Sequence, residues 1–135
     1  MKVKMCALAL SMGLVLAGNV RAELVVVANK ASQVAKLSAE QVSDCYLGKS
    51  TDFLPVDQEK SSPLRHDFLE KVASKKEAQY EALWAKLEFS GKGIRPKALP
   101  SDAAVKKAVA ADPNAIGYID KAAVDPTVKV VFTLP

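Results

Sequence analysis

Histidine and cysteine are nearly absent from this chain of 135 residues, which contains one histidine and two cysteines. Zinc sites and thiol redox centres need several such side chains close together, so the shortage excludes a His/Cys metal cluster. A Ser-His-Asp triad is not indicated either, since the single imidazole, His66, merely adjoins Ser61, Ser62 and Asp67 in sequence. The acidic residues are scattered and form no identifiable acid–base pair. We therefore expect a protein that needs no metal or cofactor and is not an enzyme.

Long apolar runs are also missing, apart from residues 5–17 near the N-terminus. This run is shorter than the ~20 residues that a membrane-spanning helix needs. Lys2 and Lys4 precede it, and small residues at Val20 and Ala22 suit cleavage before residue 23. Residues 1–22 are therefore predicted to be a cleavable signal peptide, and residues 23–135 a single periplasmic domain with no membrane span. An uncleaved membrane anchor is the alternative.

A strong charge of either sign is lacking once the signal is removed. The chain has 19 basic and 15 acidic residues, a net charge of +4. Residues 1–22 contain three of the cations and no acid, so cleavage lowers the net charge to +1. This balance gives no support for nucleic-acid binding. Cleavage also leaves Cys45 as the sole cysteine, which excludes an internal disulfide and leaves either a buried thiol or a pair between two chains.

The pattern of apolar residues predicts a mixed α/β domain. Residues 24–28 form a continuous β-branched run typical of a buried strand. Ser38 with Gln41, and Ser74 with Glu77, have the spacing of capping boxes at two helix starts. The predicted order is β-α-β-α-α-loop-α-β-β, which indicates a small mixed sheet covered by helices. The remaining predicted strands are residues 53–56, 115–119 and 128–132.

One helix start breaks the local rules and is the leading candidate for a binding site. Ser62 is a suitable N-cap and Pro63 suits the first helical position. Arg65 then lies in the first turn, where the helix dipole already carries partial positive charge. A guanidinium, free amides and the hydroxyls of Ser61 and Ser62 would together form an anion site. The alternative is an ordinary helix start with a surface arginine paired to a nearby acid such as Asp57.

Two further candidates follow the first predicted strand. Ligands of open α/β sheets bind at the carboxyl ends of the strands, where Asn29 and Ser32 lie in this sequence. A plain turn is the alternative interpretation. The complete set of predicted anion-binding residues is Ser61, Ser62, Arg65, Asn29 and Ser32.

Four motifs in a fixed order resemble the phosphate-binding proteins of bacterial ABC phosphate importers, and more closely their short single-domain relatives. The first lies at residues 44–49 (DCYLGK), and the second is the helix start with Ser62, Arg65 and Phe68. The third is the basic loop at residues 89–93 (FSGKG), and the last, most specific one is PNAIGYI at residues 113–119. The resemblance implies one lobe of a type II periplasmic binding protein. It also implies phosphate as the ligand and an inner-membrane ABC permease as a partner.

The sequence departs from the family at the helix start. Pro63 and Leu64 stand where the family has glycine and threonine, and Gln58 stands near a family arginine. Each lost buried or charge-assisted hydrogen bond is worth roughly 1.5–3 kcal/mol, so binding weaker than in the family is expected. Two functions remain open. The first is a periplasmic oxyanion-binding module that serves an ABC transporter, and the second is an envelope interaction or structural protein that retains the fold without the ligand.

Overall fold

The computed structural model describes residues 23–135, which form a five-stranded sheet with helices on both faces. The predicted signal peptide, residues 1–22, lies outside the described residues. A short 3₁₀ helix, Lys121–Ala123, precedes the last strand. The strands and α-helices, in chain order, are β1 (Leu24–Asn29), α1 (Ala39–Tyr46), β2 (Leu54–Gln58), α2 (Pro63–Lys71), α3 (Glu77–Phe89), β3 (Lys97–Leu99), α4 (Asp102–Ala111), β4 (Ala115–Asp120) and β5 (Val128–Thr133).

The predicted order of elements is confirmed, with one additional strand, β3, just after the basic loop. The capping box at the start of α1 is also confirmed: Ser38 accepts from the Gln41 amide, and the Gln41 side chain accepts from the Ser38 amide. The capping box predicted at Ser74 is wrong. Ser74 adopts a left-handed conformation with φ of 53°, and α3 begins three residues later with Lys76 as its N-cap.

The strands lie in the order β3-β2-β4-β1-β5. β2 pairs in parallel with both β3 and β4, whereas β1 runs antiparallel to β4 and to β5. The sheet is therefore mixed, as predicted. β1 lies between the last two strands of the chain, and all six of its residues are buried. None of the helices in residues 23–135 is long and apolar enough to cross a membrane.

Alternate residues of β1 face two separate apolar clusters. Leu24 and Val26 face the cluster formed with α1, α2 and α3, whereas Val25 and Val27 face the cluster formed with α4. Successive side chains of a strand point to opposite faces of the sheet, and both faces of β1 are buried. The β1 sequence is therefore apolar throughout. Three stacked or edge-on aromatic rings fill the centre of the first cluster: Tyr46, Phe68 and Tyr118.

Cys45 is buried in the first cluster, on α1. Burial raises the pKa of its thiol, and the hydrogen bond from Ser50 lowers that pKa by less. Of the two interpretations of this cysteine, the structure confirms the buried thiol.

Candidate functional site

The start of α2 directly follows the end of β2, as the sequence predicts. Ser62 is the N-cap residue and Pro63 occupies the first turn. The hydroxyl of Ser62 does not cap the helix, however, because it donates to the Gln58 side-chain oxygen at 2.5 Å. α2 also has no acidic residue in its first turn, unlike the other three α-helices of residues 23–135. No side chain of the first turn of α2 therefore neutralises the partial positive charge at this helix start.

Arg65 lies in this first turn, but its guanidinium points into the protein. The residue is 4% exposed. Nε and Nη2 donate to the two Glu77 carboxylate oxygens at 3.0 and 2.7 Å, and Nη2 also donates to Glu81 at 3.0 Å. Nη1 donates to the Gln58 carbonyl at 2.8 Å and lies 3.4 Å from the Asp57 carboxylate. The alternative interpretation, an arginine paired with a nearby acid such as Asp57, is therefore closer to the structure. It differs in one respect, because Arg65 is buried and not on the surface.

The pKa of Arg65 agrees with this arrangement. Burial lowers this pKa, but the hydrogen bonds that Arg65 donates to Glu77 and the charge of Asp57 raise it by more, so it ends above its ordinary value. Arg65 is thus held as a cation by the protein's own carboxylates. A cation with three carboxylate partners leaves little charge for an external anion.

Asp57 is the most buried charged group near this site, with 1% exposure. Its carboxylate accepts hydrogen bonds from the Gln58 amide, the Tyr80 hydroxyl and the Tyr118 hydroxyl. Burial raises the pKa of Asp57, while the Tyr118 hydrogen bond and the nearby Arg65 charge lower it in part. Burial and the Asp57 charge in turn raise the pKa of both tyrosine hydroxyls, which remain donors. The three donors and the Arg65 cation around Asp57 lock β2, α2, α3 and β4 together.

A cavity of about 290 Å³ opens beside Arg65. Two exposed cations line it, and both are paired with Glu81: Lys60 at 3.7 Å and Arg95 at 2.8 Å. Arg95 also contacts Glu88. The cavity therefore presents balanced charge and not a cationic surface.

Asn29 and Ser32 lie at the opposite end of the sheet from the α2 start. Ala28 pairs with Ile116, and the neighbouring Ala115 pairs with the first residue of β2. The α2 start follows the last residue of β2, which is four residues further along that strand, or roughly 13 Å at ~3.3 Å per residue. The prediction of Asn29 and Ser32 assumed that β1 and β2 end at the same edge of the sheet. This assumption is wrong, because β1 runs antiparallel to β4, whereas β2 runs parallel to it. The structure brings Ser61, Ser62 and Arg65 together and separates them from Asn29 and Ser32.

Both residues of this second pair have structural contacts. The Asn29 side-chain amide donates to the carbonyls of Val109 and Ala110 at the end of α4, and its oxygen accepts from Ala31. The Ser32 hydroxyl accepts from the Val34 amide. Anion binding by any of the five predicted residues stays a prediction.

The sequence analysis missed most of the buried network around Arg65. The sequence assigned Glu77 to a capping box, whereas Glu77 and Glu81 both accept hydrogen bonds from Arg65. Tyr80 belongs to the same network through its hydrogen bond to Asp57. One signal was available: Glu77 and Glu81 are four residues apart, which places them on one face of α3. Within residues 23–135 no group of three or more potential ligands is arranged to hold a metal ion.

No protein-family model and no curated protein matches the sequence. Solved structures do match, and the fold is that of one lobe of a type II periplasmic binding protein. The structure superposes with a TM-score of 0.66 and 25% identity on a protein from Clostridium perfringens, assigned as a phosphate ABC transporter substrate-binding protein and solved with bound phosphate. That match covers 81% of this chain and 44% of the other.

Two further structures give the same result. An ABC-type phosphate transport receptor from Vibrio cholerae matches with a TM-score of 0.64 and 22% identity, over 81% of this chain and 45% of that one. PstS from Borrelia burgdorferi matches with a TM-score of 0.62 and 12% identity, over 84% and 49%. The chain therefore spans less than half the length of these proteins. The resemblance to phosphate-binding proteins is confirmed at the level of the fold.

Proposed function

We propose that this protein is a periplasmic module that binds an oxyanion, most favourably phosphate, and serves an ABC phosphate transporter. The observation that carries the proposal is a helix start with free positive polarity, in a fold shared with phosphate-binding proteins. Removal of residues 1–22 as a signal peptide would place the domain, residues 23–135, in the periplasm. The matched proteins are transport receptors, which supports a role in binding without catalysis.

The proposed ligands are the Ser61 hydroxyl, the amides that follow Pro63 and the Ser62 hydroxyl. The Ser62 hydroxyl donates to the anion only after it gives up its hydrogen bond to the Gln58 side-chain oxygen. Ser61 is exposed and Ser62 is partly exposed, so both can reach an anion in solvent. The amides supply the partial positive charge of the helix end. Asn29 and Ser32 are left outside this site because they lie at the other end of the sheet.

Arg65 has an indirect part in this proposal. Its Nη1 holds the Gln58 carbonyl, and the Gln58 side chain in turn holds the Ser62 hydroxyl. Arg65 is thus a positioning residue that fixes the turn between β2 and α2. This assignment replaces the direct contact with the anion that the sequence predicted for Arg65.

The affinity follows from the number of donors. About four hydrogen bonds, each with a net value of ~1 kcal/mol, give roughly 4 kcal/mol, which corresponds to a Kd of about 1 mM. This estimate includes no ion pair, because the guanidinium is bonded within the protein. Binding should therefore be weaker than a site with a free arginine would allow.

The test is a titration of isotope-labelled protein with phosphate, followed by NMR. At about 10 mM phosphate roughly nine-tenths of a 1 mM site is filled, and the backbone amide signals of Ser61, Ser62 and Leu64 should move. Chloride at matched ionic strength should leave them in place. Ser62→Ala should reduce the response, whereas the matched control Ser32→Ala should not. Equal movement with phosphate and chloride would contradict the proposal.

A second candidate function is an envelope interaction protein that has kept the fold without the ligand. The observation that favours it is Arg65, whose three guanidinium nitrogens already donate to Glu77, Glu81 and the Gln58 carbonyl. The same titration separates the two candidates. A folded protein whose amides do not respond to phosphate would support the interaction protein.

A further inference from the structure

The two faces of the sheet are covered unequally. α1, α2 and α3 lie on one face, whereas α4 is the only α-helix of residues 23–135 on the other. A helix is about 10 Å wide and strands are about 4.8 Å apart, so one helix covers roughly two strands. α4 contacts β4, β1 and β2, which leaves the face of β3 and the adjoining part of β2 uncovered.

A groove of about 660 Å³ fills this uncovered area, and we call it the α4–β3 groove. Its floor contains Leu54 and Val56 from β2 and Leu99 from β3. Leu54 is 54% exposed, which is unusual for a strand residue on an apolar face. The two walls are residues 94–96 and the alanine side of α4, formed by Ala104, Ala108 and Ala111.

The walls suit close approach of another element. Alanines at positions i, i+4 and i+7 of α4 give a smooth surface, in which Lys107 is the one long side chain. Ile94, on the opposite wall, is 89% exposed and can close over an occupant. Leu54 on the floor and Ile94 on the wall are both exposed to solvent, so the groove is accessible to a protein segment.

The rim of the groove is basic. Lys97 and Lys107 line it, and neither forms an ion pair within residues 23–135. Arg95 also lines the groove but is paired with Glu81 and Glu88. The one acidic residue in the lining is Asp112. An occupant that is apolar along its centre and acidic along its margins would complement this surface.

We propose that the α4–β3 groove binds an amphipathic helix of a partner protein, with an apolar stripe on the groove floor and acidic residues opposite Lys97 and Lys107. A helix fits because the uncovered strip is about one helix wide and already has α4 as a parallel wall. A second copy paired groove to groove about a two-fold axis is disfavoured, since it would bring the lysines of both copies together. This proposal does not depend on phosphate binding.

The test uses two labelled peptides of about 14 residues that share one leucine and alanine stripe. One carries glutamates beside the stripe, and the other carries lysines at the same positions. The acidic peptide should bind about tenfold more tightly at ~0.15 M salt, and the difference should shrink at higher salt. Its addition should move the NMR signals of the Leu54, Leu99 and Ile94 methyl groups.

Two variants locate the site. Lys97→Glu/Lys107→Glu should reverse the preference between the peptides. The matched control, Lys36→Glu/Lys49→Glu, makes the same charge change at exposed lysines outside the groove and should preserve the preference. Equal affinity for the two peptides, or an equal effect of both variants, would overturn the proposal. A dimer in sedimentation that Ala108→Trp abolishes would overturn it in favour of a second copy of this chain.

Discussion

Replacement of Arg65 by methionine tests the buried network most directly. Methionine keeps much of the side-chain volume but removes every hydrogen bond and the charge. The sequence predicts that the Arg65 guanidinium contacts the anion directly. The structure changes that expectation, because the guanidinium joins β2 and α2 to α3.

The stability lost in Arg65→Met depends on which carboxylate partners of Arg65 can be hydrated once the guanidinium is gone. Glu77 and Glu81 have side chains that are 37% and 28% exposed, so solvent replaces much of what they lose. Asp57 has a side-chain exposure of 2% and would be left as a buried carboxylate without its cation. Breaking a buried pair from one side costs about 3–5 kcal/mol. At roughly 4 °C per kcal/mol for a domain of this size, Tm should fall by ~12–20 °C.

The stability lost in Arg65→Met should depend on pH. Without Arg65 the pKa of Asp57, already raised by burial, rises further above its unfolded value of about 3.9. A group whose pKa is raised in the folded state loses its stabilising contribution as pH rises through that folded pKa. Arg65→Met should therefore be least harmful near pH 4 and most harmful above the folded pKa of Asp57.

The assay is urea unfolding followed by tryptophan fluorescence, with Arg95→Met as the control. Arg95 also pairs with Glu81 and has a second glutamate partner, but its side chain is 42% exposed. Its loss should cost less than about 1 kcal/mol. Asp57→Asn combined with Arg65→Met should recover part of the stability, since no buried charge remains unpaired. A cost for Arg65→Met no larger than that of Arg95→Met would refute the reasoning.

Two other predictions concern the core. Gly117→Ala should destabilise the protein by about 1–3 kcal/mol in the same urea assay, because an added Cβ would lie 2.5 Å from a methyl group of Val105 and 3.1 Å from one of Val109. A cost near zero would mean that α4 moves freely over β4. Cys45, buried and with a raised thiol pKa, should not react with a thiol reagent until the protein unfolds, and sedimentation should be the same with and without reductant. Rapid labelling of the folded protein would contradict this.

Local sequence patterns predicted the helices and most of the strands well, because the contacts that define the ends of these elements join residues close together in sequence. The Ser38 capping box and the hydroxyl of Ser101, which accepts from Ala104 at the start of α4, involve residues three apart. The apolar run of β1 is as buried as expected. β3 was missed because a three-residue edge strand carries too little pattern to distinguish it from a loop.

The candidate site was less predictable because it depends on long-range pairing. Arg65 breaks the helix-start rule for a structural reason: its partners Glu77 and Glu81 arrive from α3, 12 and 16 residues later. Asn29 was grouped with the α2 start because it follows the carboxyl end of a strand, where open α/β sheets bind their ligands. An apolar run buried on both faces has the same composition in either direction, so the sequence cannot reveal that β1 runs antiparallel.

The position of β1 has a consequence for how the chain folds. This strand comes first in the described domain, yet both of its neighbours, β4 and β5, come from the last 21 residues. The centre of the sheet therefore forms only by closing loops of almost the whole domain, and such non-local topologies fold slowly, in ~milliseconds to seconds. Before β4 and β5 are in place, both edges of β1 lack their partners, and the apolar side chains that this strand buries on both faces are exposed.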